Sequence, residues 1–111
     1  MPLEYRLIQF RDHEIAEAVD RWLRANGELN QYGKTGILEK TTTGKQITIK
    51  VDCWDQHGRQ RRELRRRDLS HEEVGQAIVL YCKNNSIPLS RQGRKVFRLL
   101  DGQVVMYYQL T

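Results

Sequence analysis

Asp101-Gly102 stands between two alternating runs, Lys95 to Leu100 and Gln103 to Leu110. An Asp-Gly pair in this setting is a type I′ hairpin signal, because both central residues of that turn need positive φ. In the register the turn sets, Phe97, Leu99, Val104, Met106 and Tyr108 share one face. Val96, Val105 and Tyr107 share the other with Arg98 and Gln103. A hairpin this apolar on both sides must be central in a sheet or serve as an interface strand. The rest of the chain therefore has to supply further strands, a covering layer, or a partner.

Other segments read as elements of an α+β fold. Leu3 to Phe10 alternates, with Leu3, Tyr5 and Leu7 on one side and Ile8 and Phe10 on the other, and predicts a strand. Asp12 is placed to cap a helix running to about Asn26, whose apolar stripe is Ile15, Val19, Trp22 and Leu23. Gly27 suits the left-handed residue that ends it. A short strand is expected around Ile37 to Thr42. Gln46 to Trp54 is the clearest strand, with Ile47, Ile49, Val51 and Cys53 alternating against Thr48, Lys50, Asp52 and Trp54. Ser70-His71-Glu72-Glu73 is a capping box opening a second helix, which should stop near Asn84-Asn85. The expected order is β-α-(β)-β-β-α-β-β, with two helices on one face of a mainly antiparallel sheet. Part of that order also fits the split βαβ of ferredoxin-like domains. With 111 residues the chain is expected to form a single domain over 1–111.

Charge is concentrated rather than spread. Arg59, Arg61, Arg62, Arg65, Arg66 and Arg67 are offset only by Glu63, so this window carries +5, as much as the whole chain. Asp55-Gln56-His57-Gly58 reads as the turn before it. Pairing Trp54 with Arg59 sets Asp52 against Arg61, Lys50 against Glu63 and Ile49 against Leu64, two opposite-charge pairs and one apolar pair. In that register Arg62 and Arg66 share the inner face with Ile47 and Val51.

A row of guanidinium groups grips phosphates well, since each presents a fork of donors. Lys83, Arg91, Arg94, Lys95 and Arg98 extend the patch if the second helix and last hairpin lie beside it, and Trp54 at its margin can stack on a base. The competing reading is an edge strand kept from aggregating by charge, or a docking face for an acidic protein, with Trp54 under Arg59.

The order invites comparison with RNA-recognition domains, but their third strand carries base-stacking aromatics, and Arg59 to Arg67 has no aromatic and no glycine. Double-stranded-RNA-binding domains share the helix–three strands–helix order and open their last helix with lysines. Here that position is His71-Glu72-Glu73, the wrong sign for phosphate.

Catalytic and metal signals are weak. Gly33-Lys34-Thr35 lacks the glycine a phosphate loop needs at position 28, which is Glu28. His13, His57, His71, Cys53 and Cys82 are scattered, without metal-ligand spacing. Both cysteines fall on apolar faces, where a thiol is a poor nucleophile. No cofactor or metal is expected, and no enzyme activity.

The absence of a long apolar run and of a signal-like start leads to an expectation of a cytoplasmic protein without membrane contact. The expected function is a small basic binding module that contacts nucleic-acid backbone through Arg59, Arg61, Arg65 and Arg67. Arg62, Arg66, Lys83, Arg94, Lys95 and Trp54 support them. The alternative is a protein-interaction adaptor or regulator, dimeric through Val96, Val105 and Tyr107.

Overall fold

A computed structural model describes residues 5–29, 33–57, 61–89 and 94–109, with backbone alone at 55–57, 61–63 and 109. The elements are β1 (Tyr5–Phe10), α1 (Asp12–Ala25), β2 (Lys34–Thr43), β3 (Gln46–His57), β4 (Arg61–Leu69), α2 (His71–Asn84), β5 (Lys95–Leu100) and β6 (Gln103–Gln109). The protein is α+β, and every strand pairing is antiparallel.

The strands form two three-stranded sheets, β1-β6-β5 and β2-β3-β4, rather than one. The split βαβ expectation is overturned with it, since β1 pairs with β6 and not with a strand of the other sheet. The physical reason lies in the last hairpin. Its two apolar faces make β6 a central strand, and β1 supplies the missing neighbour, Phe10 opposite Val104 and Ile8 opposite Met106. Asp101 and Gly102 both have positive φ (52° and 75°), as the type I′ turn requires. Phe97 faces Met106 and Leu99 faces Val104, the expected register.

Each helix carries its cap in the sequence. Ser70 Oγ accepts from Glu73 N–H, and the Glu73 carboxylate accepts from Ser70 N–H. In α1 the N-cap is Arg11 and not Asp12, with Glu14 reaching back to the Arg11 N–H at 2.9 Å. Asp12 is instead the first helical residue, where its charge still suits the dipole. Gly27 (φ 76°) ends α1, and the chain closes as a Schellman motif. Glu28 N–H donates to Leu23 O at 2.8 Å and Gly27 N–H to Arg24 O at 3.1 Å.

The inner faces of both sheets and the stripes of both helices merge into one buried cluster. It joins Phe10, Phe97, Val104 and Met106 with Ile47, Ile49, Val51 and Leu69, and both with Val19, Leu23, Val74 and Ile78. Gly75 lets α2 approach β5, because a Cβ there would stand 3.0 Å from Phe97 Cε2. No helix of the described residues is long and apolar enough to cross a membrane.

Candidate nucleic-acid interface

The β3–β4 register differs from the one counted from the sequence. Trp54 lies opposite Leu64, Asp52 opposite Arg66, Lys50 opposite Asp68 and Ile49 opposite Leu69. The strand does not turn after Trp54; β3 continues through Asp55 and Gln56 to His57. Leu69 decides the alignment, because it is fully buried and must join Ile49 in the core. The displacement is an odd number of residues, so the faces exchange. Arg66 lies on the outer face, and Arg65 and Arg67 on the inner one, the reverse of the expected placement for Arg66. Arg62 pairs with Gln56 and Arg61 with His57 along the backbone. Side chains at 61 and 62, and Arg59 and Arg91 entirely, lie outside the described residues, as does the expected Trp54–Arg59 contact.

Arg67 is held inside the molecule. Its Nε meets Glu28 Oε1 at 3.1 Å, its Nη2 meets the Glu73 carboxylate, and its guanidinium sits 6.0 Å from the Trp22 ring centroid. Hydrogen bonds to Glu73 and then Glu28 raise its already high pKa. The same bond holds the Glu73 carboxyl below its ordinary range. Glu73 thus serves both the cap of α2 and Arg67, and Gly27 turns the chain so that Glu28 can close the other side. Arg65 donates to the Glu28 carbonyl. The sequence pattern singled out the arginines but not these carboxylates; the capping-box glutamate was the available clue.

The outer face of β2-β3-β4 carries the exposed group. Trp54 is 42% exposed and Leu64 64% exposed, directly across from each other. Lys34 lies across from Trp54 on the other side, on a β2 that starts three residues earlier than expected. Arg66 is 69% exposed and 3.9 Å from Asp52; Lys50 is 3.9 Å from Glu39. Pairs this long and this exposed contribute only about 0–1 kcal/mol, so an incoming anion can displace them.

Helices of 14 residues span about 21 Å, whereas the 12 residues of β3 span about 40 Å. The helical layer therefore cannot cover the whole inner face of the β3–β4 hairpin.

The other expected basic residues lie elsewhere. Lys83 and Lys95 line a groove between α2 and β5. Lys83 is ten residues beyond Glu73 on α2, about 15 Å along the axis. Arg94 borders a notch of about 240 Å³ with Tyr5, Val96, Tyr107 and Tyr108. They do not extend the Arg67 cluster into one surface. The expected interface face is also corrected at one position: Val105 is fully buried between Gln9 and Arg98, because β6 is the central strand. Val96 and Tyr107 remain half-buried.

Cys53 and Cys82 are both buried free thiols, and burial pushes the Cys82 thiol up. Among the described residues no three metal-ligating side chains gather. Compared with known proteins, the chain matches no family model, no curated protein and no solved structure.

Proposed function

We propose that this protein is a non-catalytic module that binds single-stranded nucleic acid on the outer face of β2-β3-β4. The observation that carries the reading is the exposed Trp54, flanked by Lys34 and Leu64 with Arg66 one pair further along. An indole open to solvent beside cations is what base stacking with phosphate contact needs. The arginines of the 59–67 segment give the chain a concentrated positive charge that adds a sequence-independent attraction. Arg67 is not a contact in this reading; it fastens β4 to both helices.

The test is anisotropy of labelled single-stranded DNA and RNA as a function of salt. Trp54→Ala is expected to weaken binding by about 1–3 kcal/mol, the usual worth of a base–aromatic stack. Arg66→Ala should lower the salt slope by about one and weaken all sequences alike. Absence of binding at low salt, or binding indifferent to both changes, would overturn the reading.

A protein partner is the second reading, and it has its own observation. Tyr5 and Leu7 on β1 are 66% and 47% exposed, on the same face as Tyr107. Localised cytoplasmic action fits either reading and belongs to the same proposal.

A further inference from the structure

Asp52 is an acid inside the basic face that carries Trp54. It precedes Trp54 by two residues on β3, so both lie on the outer face, about 7 Å apart along the strand. Its cross-strand neighbours are Gly36 of β2 and Arg66 of β4. Gly36 leaves its place in that row empty, since a Cβ there would meet nothing within 4 Å. Neither a positive φ nor the bulge calls for glycine at 36, because Gly36 pairs in register and the irregularity of β2 falls between Ile37 and Glu39. Glycine inside a strand weakens it, and close approach by another group is a usual reason for one. Open space over the Gly36 backbone thus adjoins the indole, with a carboxylate beside it. Arg66 Nε is 3.9 Å from Asp52 Oδ1. At that length the pair is not a hydrogen bond, so Arg66 balances the charge of Asp52 without consuming its acceptor sites. An ion pair this long and exposed contributes little to stability, so fastening β3 to β4 does not account for the acid.

We infer that Asp52 reads the base that stacks on Trp54, and that the base it selects is guanine. The inference rests on the outer face binding single strands and adds a preference to that binding. An ionised carboxylate offers acceptors only. On its Watson–Crick edge guanine presents two adjacent donors, N1–H and the N2 amino group, which match the two carboxylate oxygens. Adenine and cytosine place a ring-nitrogen acceptor beside their amino group. Thymine and uracil flank a single N–H with two carbonyls. Each of these sets a lone pair against the carboxylate, so one residue both favours guanine and rejects its competitors. A single strand leaves that edge free for the contact.

The probes are oligothymidines that differ at one central position, which carries guanine, adenine, cytosine, inosine, or a guanine analogue with carbon in place of N7. Their affinities for the intact protein are measured by fluorescence anisotropy at one salt concentration. Guanine is expected to bind at least about tenfold more tightly than adenine or cytosine, the scale of one bidentate base contact. Inosine lacks the N2 amino group and should lose most of that advantage. The N7-substituted analogue keeps the Watson–Crick edge and should retain it. Asp52→Asn puts a donor where an acceptor stood and should bring the guanine-to-adenine ratio close to one. The ratio is the readout, because removing a negative charge favours every polyanion alike. Inosine tests the same contact on the unaltered protein, so the inference does not depend on how the variant folds. Equal affinity for all the oligomers would overturn the role of Asp52 and leave the stacking face standing. So would a guanine preference that survives Asp52→Asn in a protein with an unchanged melting curve, or one that is abolished by removing N7. Failure of every oligomer to bind at low salt would overturn both readings together.

Discussion

Arg67 illustrates how a residue's chemistry is decided by what the fold brings to it. Read from the chain it is one of six clustered arginines; in the structure it bridges two carboxylates and lies against an indole. Its side chain is only 27% exposed, so the network is screened less than a surface pair. Arg67→Ala leaves Glu28 and Glu73 facing each other across the vacated space and is expected to destabilise the protein by about 2 kcal/mol, as measured by urea unfolding. Arg67→Lys should recover less than half, since one ammonium cannot serve two carboxylates in fork geometry. The pH dependence has a definite direction. Glu73 is held below its ordinary pKa in the folded state, so the native protein binds fewer protons than the unfolded chain, whose glutamates titrate near 4.3. The stabilisation is full above that value and is lost as pH falls through it toward the lower folded value. Wild-type stability should therefore fall more steeply below about pH 4.5 than that of Arg67→Ala, and parallel acid profiles would remove Glu73 from the account.

At the scale of the element, the two helix ends separate what a sequence displays from what it hides. Gly27 announced itself, because glycine after an apolar stripe is the usual left-handed cap. The end of α2 has the same geometry without the same signal. Ser86 has φ 56°, and Ile87 N–H donates to Cys82 O at 2.9 Å, a second Schellman motif built on a residue with a Cβ. Left-handed backbone disfavours such a residue by about 1–2 kcal/mol, whereas glycine adopts it without that penalty. Ser86→Gly is expected to raise stability by about 1 kcal/mol, less the extra entropy glycine has when unfolded, read as a higher urea midpoint at unchanged slope. A lower midpoint would mean that the serine side chain contributes more than the backbone strain. Strands show the same division. The alternation of β3, the capping box and the Asp-Gly turn were legible because each depends on near neighbours. The β3–β4 register was not, because it depends on Leu69 meeting the core and on the strand outrunning Trp54. Charges across Asp52 and Lys50 do not discriminate, since the counted register sets Arg61 and Glu63 against them and the observed one Arg66 and Asp68, opposite in sign both times. Burying Leu69 contributes about 1.5–3 kcal/mol and decides. The exchange of faces moved Arg66 outward beside Trp54, which is why the candidate site was only partly visible. The close approach of α2 to β5 was hidden further, since it depends on how a helix and the following strand pack; the glycine inside α2 was its local trace.

The whole molecule poses a question of cooperativity. Its extents are 61 × 28 × 19 Å, and its radius of gyration is 15.3 Å, against about 13 Å expected for a compact chain of this length. Two separate sheets in an elongated body would be compatible with two regions that open independently. The buried cluster argues otherwise, because both sheets pack on the same two helices and on each other. Phe97 of one sheet packs on Gly75 of α2, and Ile47 N–H of the other donates to His71 Nδ1 at the start of the same helix, at 3.0 Å. Arg98 bridges directly from β5 to the Lys45 carbonyl between β2 and β3, also at 3.0 Å. Loss of either sheet would uncover apolar helix surface, so neither opening is expected to stop short of global unfolding. Far-UV circular dichroism and tryptophan fluorescence should then trace one coincident urea transition. Met106→Ala in one sheet and Ile49→Ala in the other should each move that single midpoint, by about 2–5 kcal/mol, without creating a second step. Two resolved transitions, or a Met106→Ala protein that loses β1-β6-β5 while amide protection in β3 persists, would divide the chain into units that fold apart. A single shifted transition in both variants would establish that the two sheets stand on one cooperative scaffold, so that any ligand held by one sheet stabilises the other by mass action on the same unfolding equilibrium.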